Sequence, residues 1–110
     1  MNRKEISIVF SDKSLARIAG NPLGRETWEK IKDQVDWSSM NVFIFPDYLT
    51  SISSSFVQGF ILEICERIGI ENIYKNFAFH CDNPRVTKKI EDSINLTYSA
   101  DRGISKNANI

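Results

Sequence analysis

The segment Val42-Phe43-Ile44-Phe45 is the feature that most constrains the fold of this chain. It is an uninterrupted apolar run closed by Pro46, which lacks the N–H that a sheet ladder requires and therefore ends a strand. A continuous run, instead of one that alternates with polar residues, is typical of a strand covered on both faces in a parallel or mixed sheet. The run therefore predicts the central strand of the sheet, with other elements packed on both of its faces.

A long amphipathic segment follows this strand. Its apolar residues fall within about half of a helical wheel drawn at ~100° per residue. We expect a helix from about Ser54 to Arg67, ended by Gly69, because glycine is the preferred residue just beyond a helix C-terminus. The wide apolar stripe predicts that this helix packs on the central strand. The stripe contains Phe56, Val57, Phe60, Ile61, Ile64, Cys65 and Ile68.

The remaining elements complete an alternating order. A strand is expected over Ile6–Phe10, a helix over about residues 22–35 with Asn21 as its N-cap, a short helical turn over Ile70–Lys75, a strand over Phe77–Cys81, and a last helix after Asn83-Pro84. The order β-α-β-α-β-α predicts a small α/β domain, in which helices flank a mixed or parallel sheet with right-handed crossovers. We assign this single domain to residues 1–98 and expect residues 99–110 to form a flexible tail.

Composition excludes several classes of function. A chain of 110 residues is too short for two well-buried cores. Its 14 basic and 14 acidic residues cancel, so it lacks the field that drives generic binding to nucleic acids or anionic membranes. No apolar run approaches the roughly 20 residues of a membrane-spanning helix. We therefore expect a soluble, cytoplasmic protein with neither a nucleic-acid nor a membrane partner.

The inventory of reactive residues is small. His80 is the only histidine, and its neighbour Cys81 would point to the opposite face of a strand. Cys65 and Cys81 lack the spacing of a zinc or redox pair, so each is expected to be a reduced, buried thiol. No glycine-rich phosphate loop is present. We expect no catalytic residue, no metal and no cofactor, and we keep an enzyme of unrecognised type as an alternative.

Three consecutive serines, Ser53, Ser54 and Ser55, open the predicted amphipathic helix. Hydroxyl side chains cap helix N-termini, and capping alone is one explanation for them. Because free N–H groups and the helix dipole stabilise anions there, a surface switch is another. Phosphorylation would add about −1.5 to −2 charges in one step.

The side of the helix opposite its apolar stripe supplies a second indication. Ser55, Gly59, Leu62 and Glu66 group together on the wheel, which places the aliphatic side chain of Leu62 in water. We interpret this side, together with the serines, as a docking surface for a protein partner. The predicted partner-binding residues are Ser53, Ser54, Ser55, Gln58, Gly59, Leu62 and Glu66.

A family resemblance supports this interpretation. The residues that carry it are Arg17-Ile18-Ala19-Gly20, Val42 to Phe45, Ser51 to Phe56, and the strand and helix from Phe77 to Ile94. Together they resemble the bacterial STAS-like family of unknown function over about residues 6–98. That family is distantly related to the STAS domains of anti-sigma-factor antagonists and sulfate transporters, in which Asp-Ser-Ser-Gly opens a helix after a buried strand.

On that signature Ser53 takes the place of the Asp, Ser54 that of the phosphorylatable Ser, Ser55 that of the second Ser and Phe56 that of the Gly. The missing Asp, the large Phe56 and the Phe45-Pro46 pair at the strand end depart from the STAS pattern. These departures affect the switch more than the fold.

The resemblance implies a non-catalytic regulatory module that binds a protein partner through the segment from Ser53 to Glu66, with Ser54 as its phosphorylation site. A histidine-kinase-like ATPase or another regulatory protein is the kind of partner that it implies. The first alternative keeps the fold but acts as a stoichiometric inhibitor or adaptor without a covalent switch, for example in a phage or mobile-element setting.

Overall fold

The computed structural model describes residues 2–108, with side-chain environments for residues 2–99. Strands and helices alternate along this part of the chain, and short 3-10 turns cover Lys32–Gln34 and Ile70–Asn72. The elements are β1 (Arg3–Ser7), β2 (Arg17–Ile18), α1 (Asn21–Ile31), β3 (Met40–Ile44), β4 (Ser51–Ile52), α2 (Ser54–Ile68), α3 (Ile73–Asn76), β5 (Phe77–His80) and α4 (Pro84–Ala108).

The main sheet has three parallel strands in the order β1-β3-β5. Ile6 of β1 lies beside Phe43 of β3, which lies beside Phe79 of β5. The predicted α/β fold is therefore confirmed, and so is the central position of the Val42–Phe45 run. A second ladder pairs the two-residue strands β2 and β4, again in parallel. Two residues give too little periodicity to predict such a ladder from sequence.

The helices form one layer. The crossovers from β1 to β3 and from β3 to β5 step in the same direction across the sheet, so right-handed connections put α1 and α2 on the same face. These two helices accordingly pack along one another, and α4 packs on α2 as well. None of the helices in the described part is both long and apolar enough to cross a lipid bilayer.

An aromatic cluster joins this helical layer to the sheet. Phe60 of α2 is 1% exposed and meets Phe43 of β3 edge to face, with ring centroids 5.1 Å apart. Trp28 of α1 approaches the same Phe60 ring at 5.9 Å. Edge-to-face pairs place the positive ring edge against a negative ring face, which adds to the burial of apolar area. The predicted packing of α2 on the central strand is confirmed.

The other face of the sheet is buried along its centre as well. The large core cluster takes Ile6, Phe43 and Phe79 from the first face. Val42 points the other way and is 3% exposed, and its neighbour Ile44 is half-buried. The middle of the central strand is therefore buried on both faces, as the continuous apolar run predicts.

Some element ends agree with the sequence and others do not. Strand β1 covers Arg3–Ser7 instead of the predicted Ile6–Phe10. Helix α2 runs from Ser54 to Ile68 and is followed by Gly69 at φ 82°. Helix α1 differs, because its N-cap is Gly20 instead of Asn21. Helix α4 continues to Ala108, so the segment predicted to be a tail is helical as far as the structure describes it. Residues 109–110 of that predicted tail lie outside the described residues.

Candidate functional site

The candidate site begins with the serine corner, which we define as Ser53, Ser54 and Ser55 at the start of α2. Ser53 is the N-cap, and its Oγ accepts hydrogen bonds from the backbone N–H of Phe56 at 3.0 Å and of Gly20 at 3.1 Å. One hydroxyl therefore satisfies a free donor of α2 and also holds the start of α1 beside it. The sequence indicates a cap but not the bond across the two helices.

The other two serines have different environments. Ser54 is half-buried, and its Oγ shares a hydrogen bond of 3.1 Å with Ser93 Oγ on α4. Ser93 is 1% exposed and also donates to the Lys89 carbonyl at 2.7 Å. Ser55 is exposed, and its hydroxyl lies 3.1 Å from that of Ser53. Among the three hydroxyls, that of Ser55 is thus the one presented to solvent.

The serine corner is a favourable place for negative charge. Helices α1 and α2 start close together, because Gly24 lies directly against the backbone of Phe56. The first turn of neither helix contains an acidic residue. Since a helix N-terminus carries a partial positive charge, two adjacent starts without carboxylates attract an anion. The corner can therefore stabilise a phosphate or a carboxylate.

The exposed side of α2 extends away from this corner. Ser55, Gln58, Leu62 and Glu66 lie along it and face solvent, and we call this set the α2 crest. The side chain of Leu62 leaves 40% of its surface in water. The structure thus brings together most of the predicted partner-binding residues on one continuous surface.

Gly59 is the exception. It is buried, and a Cβ at this position would collide with the backbone carbonyl of Asn21 in α1. The prediction that Gly59 faces solvent beside Leu62 is wrong, because α1 covers that side of α2. The glycine allows the two helix backbones to approach closely. A helical wheel cannot identify which neighbouring helix occupies a given side.

A polar contact missed by the sequence analysis lies beside the crest. Trp28 Nε1 donates a hydrogen bond of 2.7 Å to Glu63 Oε2, which links α1 to α2. The guanidinium of Arg67 stands over the ring of Trp37 at 4.1 Å from its centroid. Glu63 is thus more than a solvated surface carboxylate. Only the observation that a buried indole needs an acceptor could have indicated such a contact.

The remaining reactive side chains lie at the end of β5 and just beyond it. His80 Nε2 lies 3.1 Å from Asp82 Oδ1, and both side chains are exposed. Cys81 is buried on the opposite side of the strand from His80, as predicted, and burial raises the pKa of its thiol. Within residues 2–99 no three histidine, cysteine or acidic side chains come close enough to hold a metal ion.

A crevice of about 420 Å³ opens at the carboxyl ends of β1 and β3. The carboxyl ends of parallel strands are where α/β sheets commonly bind ligands. The sequence analysis missed this crevice because its walls come from four separate segments. It is lined by Ser7, Ile8, Val9, Lys13, Ile44, Phe45, Pro46, Asp47, Tyr48 and Asp82.

Replacing Ser53 with alanine is expected to lower the free energy of unfolding by about 1–2 kcal/mol, because the N-cap bond to Phe56 and the bond to Gly20 are lost together. Urea denaturation followed by circular dichroism measures the change. Ser55→Ala is the matched control, and its effect should stay within about 0.5 kcal/mol because this hydroxyl is exposed. Equal effects of the two variants would contradict the assignment of Ser53 as the cap.

Comparisons of the chain with models of protein families, with curated proteins and with solved structures found no match. The resemblance to the STAS-like family therefore stays a prediction, and the geometry of the site carries the functional argument.

Proposed function

We propose that this chain is a cytoplasmic, non-catalytic regulatory module that binds a protein partner through the serine corner and the α2 crest, that is, over the segment from Ser53 to Glu66. The observation that carries the proposal is the double hydrogen bond to Ser53 Oγ, which fixes the start of α2 against that of α1. A surface on a rigid helix loses little conformational entropy when it binds.

The surroundings of this surface favour a partner with acidic or phosphorylated groups. The two helix starts contribute positive partial charge. Arg17, which shortly precedes α1, and Arg25, which lies in α1, are both exposed. Arg25 also lines a shallow groove with Leu62, so a cation stands beside an exposed aliphatic side chain. A partner segment that combines a carboxylate or phosphate with an apolar residue would fit both the cation and the aliphatic side chain. A histidine-kinase-like ATPase or another regulatory protein is the partner that the STAS-like resemblance implies.

Regulation by phosphorylation is part of the proposal. A phosphate on Ser54 would lie at the start of α2, where the dipole and free N–H groups stabilise it. It would also separate Ser54 from Ser93 of α4, since a dianion cannot occupy the place of the half-buried Ser54 hydroxyl against the buried Ser93 side chain. A switch at Ser54 therefore loosens the contact between α2 and α4 and adds charge at the edge of the crest.

The contact with Ser93 equally favours a second candidate function. If the Ser54 hydroxyl serves only to join α2 to α4, the protein is a stoichiometric inhibitor or adaptor with the same surface and no covalent switch. Mass spectrometry of the serine corner, in protein isolated from native cells, distinguishes the switch from the adaptor. Phosphate on Ser54 supports the switch, whereas an unmodified Ser54 in a stable complex supports the adaptor.

The binding proposal is tested by replacing Leu62 with lysine. In affinity capture from native cells, the wild-type chain should retain one protein in stoichiometric amount, and Leu62→Lys should weaken that complex at least tenfold because it places a charge at the centre of the crest. Leu96→Lys is the matched control, since Leu96 is an exposed leucine on another helix, α4, and is 61% exposed. Affinities of the purified complexes are measured by calorimetry.

The two leucine variants also define the contrary result. Equal affinities of Leu62→Lys and wild type, with Leu96→Lys unchanged, would place the partner elsewhere on the molecule. Capture of no stoichiometric partner by the wild-type chain would contradict the proposal as a whole.

A further inference from the structure

The crevice of about 420 Å³ at the carboxyl ends of β1 and β3 plays no part in the proposed function. Its volume lies towards the lower end of the roughly 300–1,000 Å³ that small-molecule pockets occupy. Such pockets combine apolar walls with a few polar groups that fix the orientation of the ligand. The size and the position of this crevice therefore suit a small molecule.

Hydrogen bonds within the chain hold the walls of the crevice in place. The backbone N–H of Ile8 donates to the Ile44 carbonyl at 2.8 Å, just where β1 and β3 end. Asn83 Nδ2 donates to the Leu49 carbonyl at 3.1 Å, which ties the segment after β5 to the segment after β3. Because the walls are fixed by these contacts, little conformational entropy is lost when a ligand enters.

Two opposite charges line the crevice without pairing. Lys13 comes from the segment after β1 and Asp47 from the segment after β3, and both side chains are exposed. Among the described residues, neither side chain forms a hydrogen bond or an ion pair, with the other or with a third residue. The second carboxylate of the crevice, that of Asp82, lies 3.1 Å from His80 Nε2 instead. One cation and one anion without partners therefore line the same open space.

Apolar surface accompanies these two charges in the crevice. Val9 is 66% exposed, more than the other exposed large hydrophobic residues of the described part. Ile44 and Pro46 are half-buried and line the same crevice. An aliphatic chain placed against these residues removes apolar surface from water, which favours binding.

We propose that the crevice binds a small aliphatic amino acid. Its carboxylate pairs with Lys13, and its ammonium group pairs with Asp47. Its side chain packs against Val9, Ile44 and Pro46. A molecule that carries both charges gives a partner to both side chains, whereas a simple carboxylic acid or a simple amine leaves one of them without a partner.

The charges of the crevice disfavour other classes of ligand. A nucleotide or a sugar phosphate carries two or more negative charges, and it would meet the carboxylates of Asp47 and Asp82 with Lys13 as the one lysine of the lining. A purely apolar molecule would remove water from charged groups without giving them new partners. A zwitterion with an aliphatic chain has neither disadvantage.

The inference goes beyond the proposed function, because the crevice lies outside the segment from Ser53 to Glu66. In the test, the isotope-labelled full-length protein is titrated with L-leucine, L-isoleucine and L-valine. At least one of the three should bind with a Kd of about 1 mM or tighter. It should shift the amide resonances of Val9 and Asp47.

Analogues and variants then assign the two charges. The amide of the amino acid that binds most tightly lacks the carboxylate, and the corresponding deaminated acid lacks the ammonium group, so each should bind at least tenfold more weakly. Lys13→Met should weaken binding of the amino acid at least tenfold without weakening that of the amide. Asp47→Asn should do the same without weakening binding of the deaminated acid. Lys75→Met, which removes an exposed lysine of α3, is the matched control and should have no effect.

Failure of all three amino acids to bind with a Kd of about 1 mM or tighter would overturn the inference. So would an amide or a deaminated acid that binds as tightly as the amino acid, because the crevice would then not recognise both charges. Wild-type affinity in both Lys13→Met and Asp47→Asn would overturn it as well. Leu62→Lys should leave amino-acid affinity unchanged, so failure of this inference and failure of the proposed function give different results.

Discussion

Replacing Phe60 with alanine is expected to lower the free energy of unfolding by about 3–5 kcal/mol. The ring is 1% exposed and contacts Trp28, Phe43 and other aromatic rings, so its removal leaves a cavity between the helical layer and the sheet. Neighbouring aromatic rings are rigid and cannot collapse into that space without leaving their own rotamers. Urea denaturation of both proteins measures this change in the free energy of unfolding, as the difference between the two midpoints multiplied by a common denaturant slope.

Leu96→Ala is the control for this comparison, because Leu96 is 61% exposed and its truncation should change stability by no more than about 0.5 kcal/mol. A Phe60→Ala protein as stable as the control would show that α2 does not pack on β3 in solution.

Replacing Gly24 with alanine is expected to destabilise the protein by about 1–3 kcal/mol. Alanine normally stabilises a helix interior by about 1 kcal/mol relative to glycine, so the expected sign is opposite to helix propensity. A Cβ on Gly24 would collide with the backbone carbonyl of Phe56 and lie 2.8 Å from the backbone nitrogen of Phe60. Because both neighbours are backbone atoms of α2, the helices must move apart.

The same denaturation experiment measures this effect, with Gln58→Ala as the control at an exposed position of α2. A stabilised Gly24→Ala protein would mean that α1 and α2 are not in backbone contact near their starts. A loss of stability without loss of the Leu62-dependent partner would show that the glycine supports the fold and not the contact.

The sequence was informative where one element determines its own pattern. The apolar stripe of α2 and Gly69 after it defined that helix closely, since helical period and a left-handed end residue are local properties. The run Val42–Phe45 identified the central strand for the same reason. Ser53 could be predicted as the N-cap because the cap accepts its hydrogen bond from a residue only three positions further on.

The sequence was uninformative where two distant elements decide the outcome. The face of the sheet on which α1 and α2 lie depends on the direction in which both crossovers step, and no single residue encodes that direction. The burial of Gly59 depends on α1, and the position of Ser54 depends on Ser93, which lies 39 residues away in the chain. The crevice likewise requires four segments to meet. The sequence therefore located the serine corner but could not predict that its three serines have different environments.

The two sides of helix α2 divide the substitutions that it can tolerate into two classes. Phe60 points into the core, so changes there reduce the amount of folded protein in a cell. Leu62, two positions further on, is exposed, so a polar residue there should leave that amount almost unchanged while it weakens the proposed partner contact. In a comprehensive mutational scan, neighbouring positions of one helix would therefore respond to different assays, one to abundance and the next to growth or signalling.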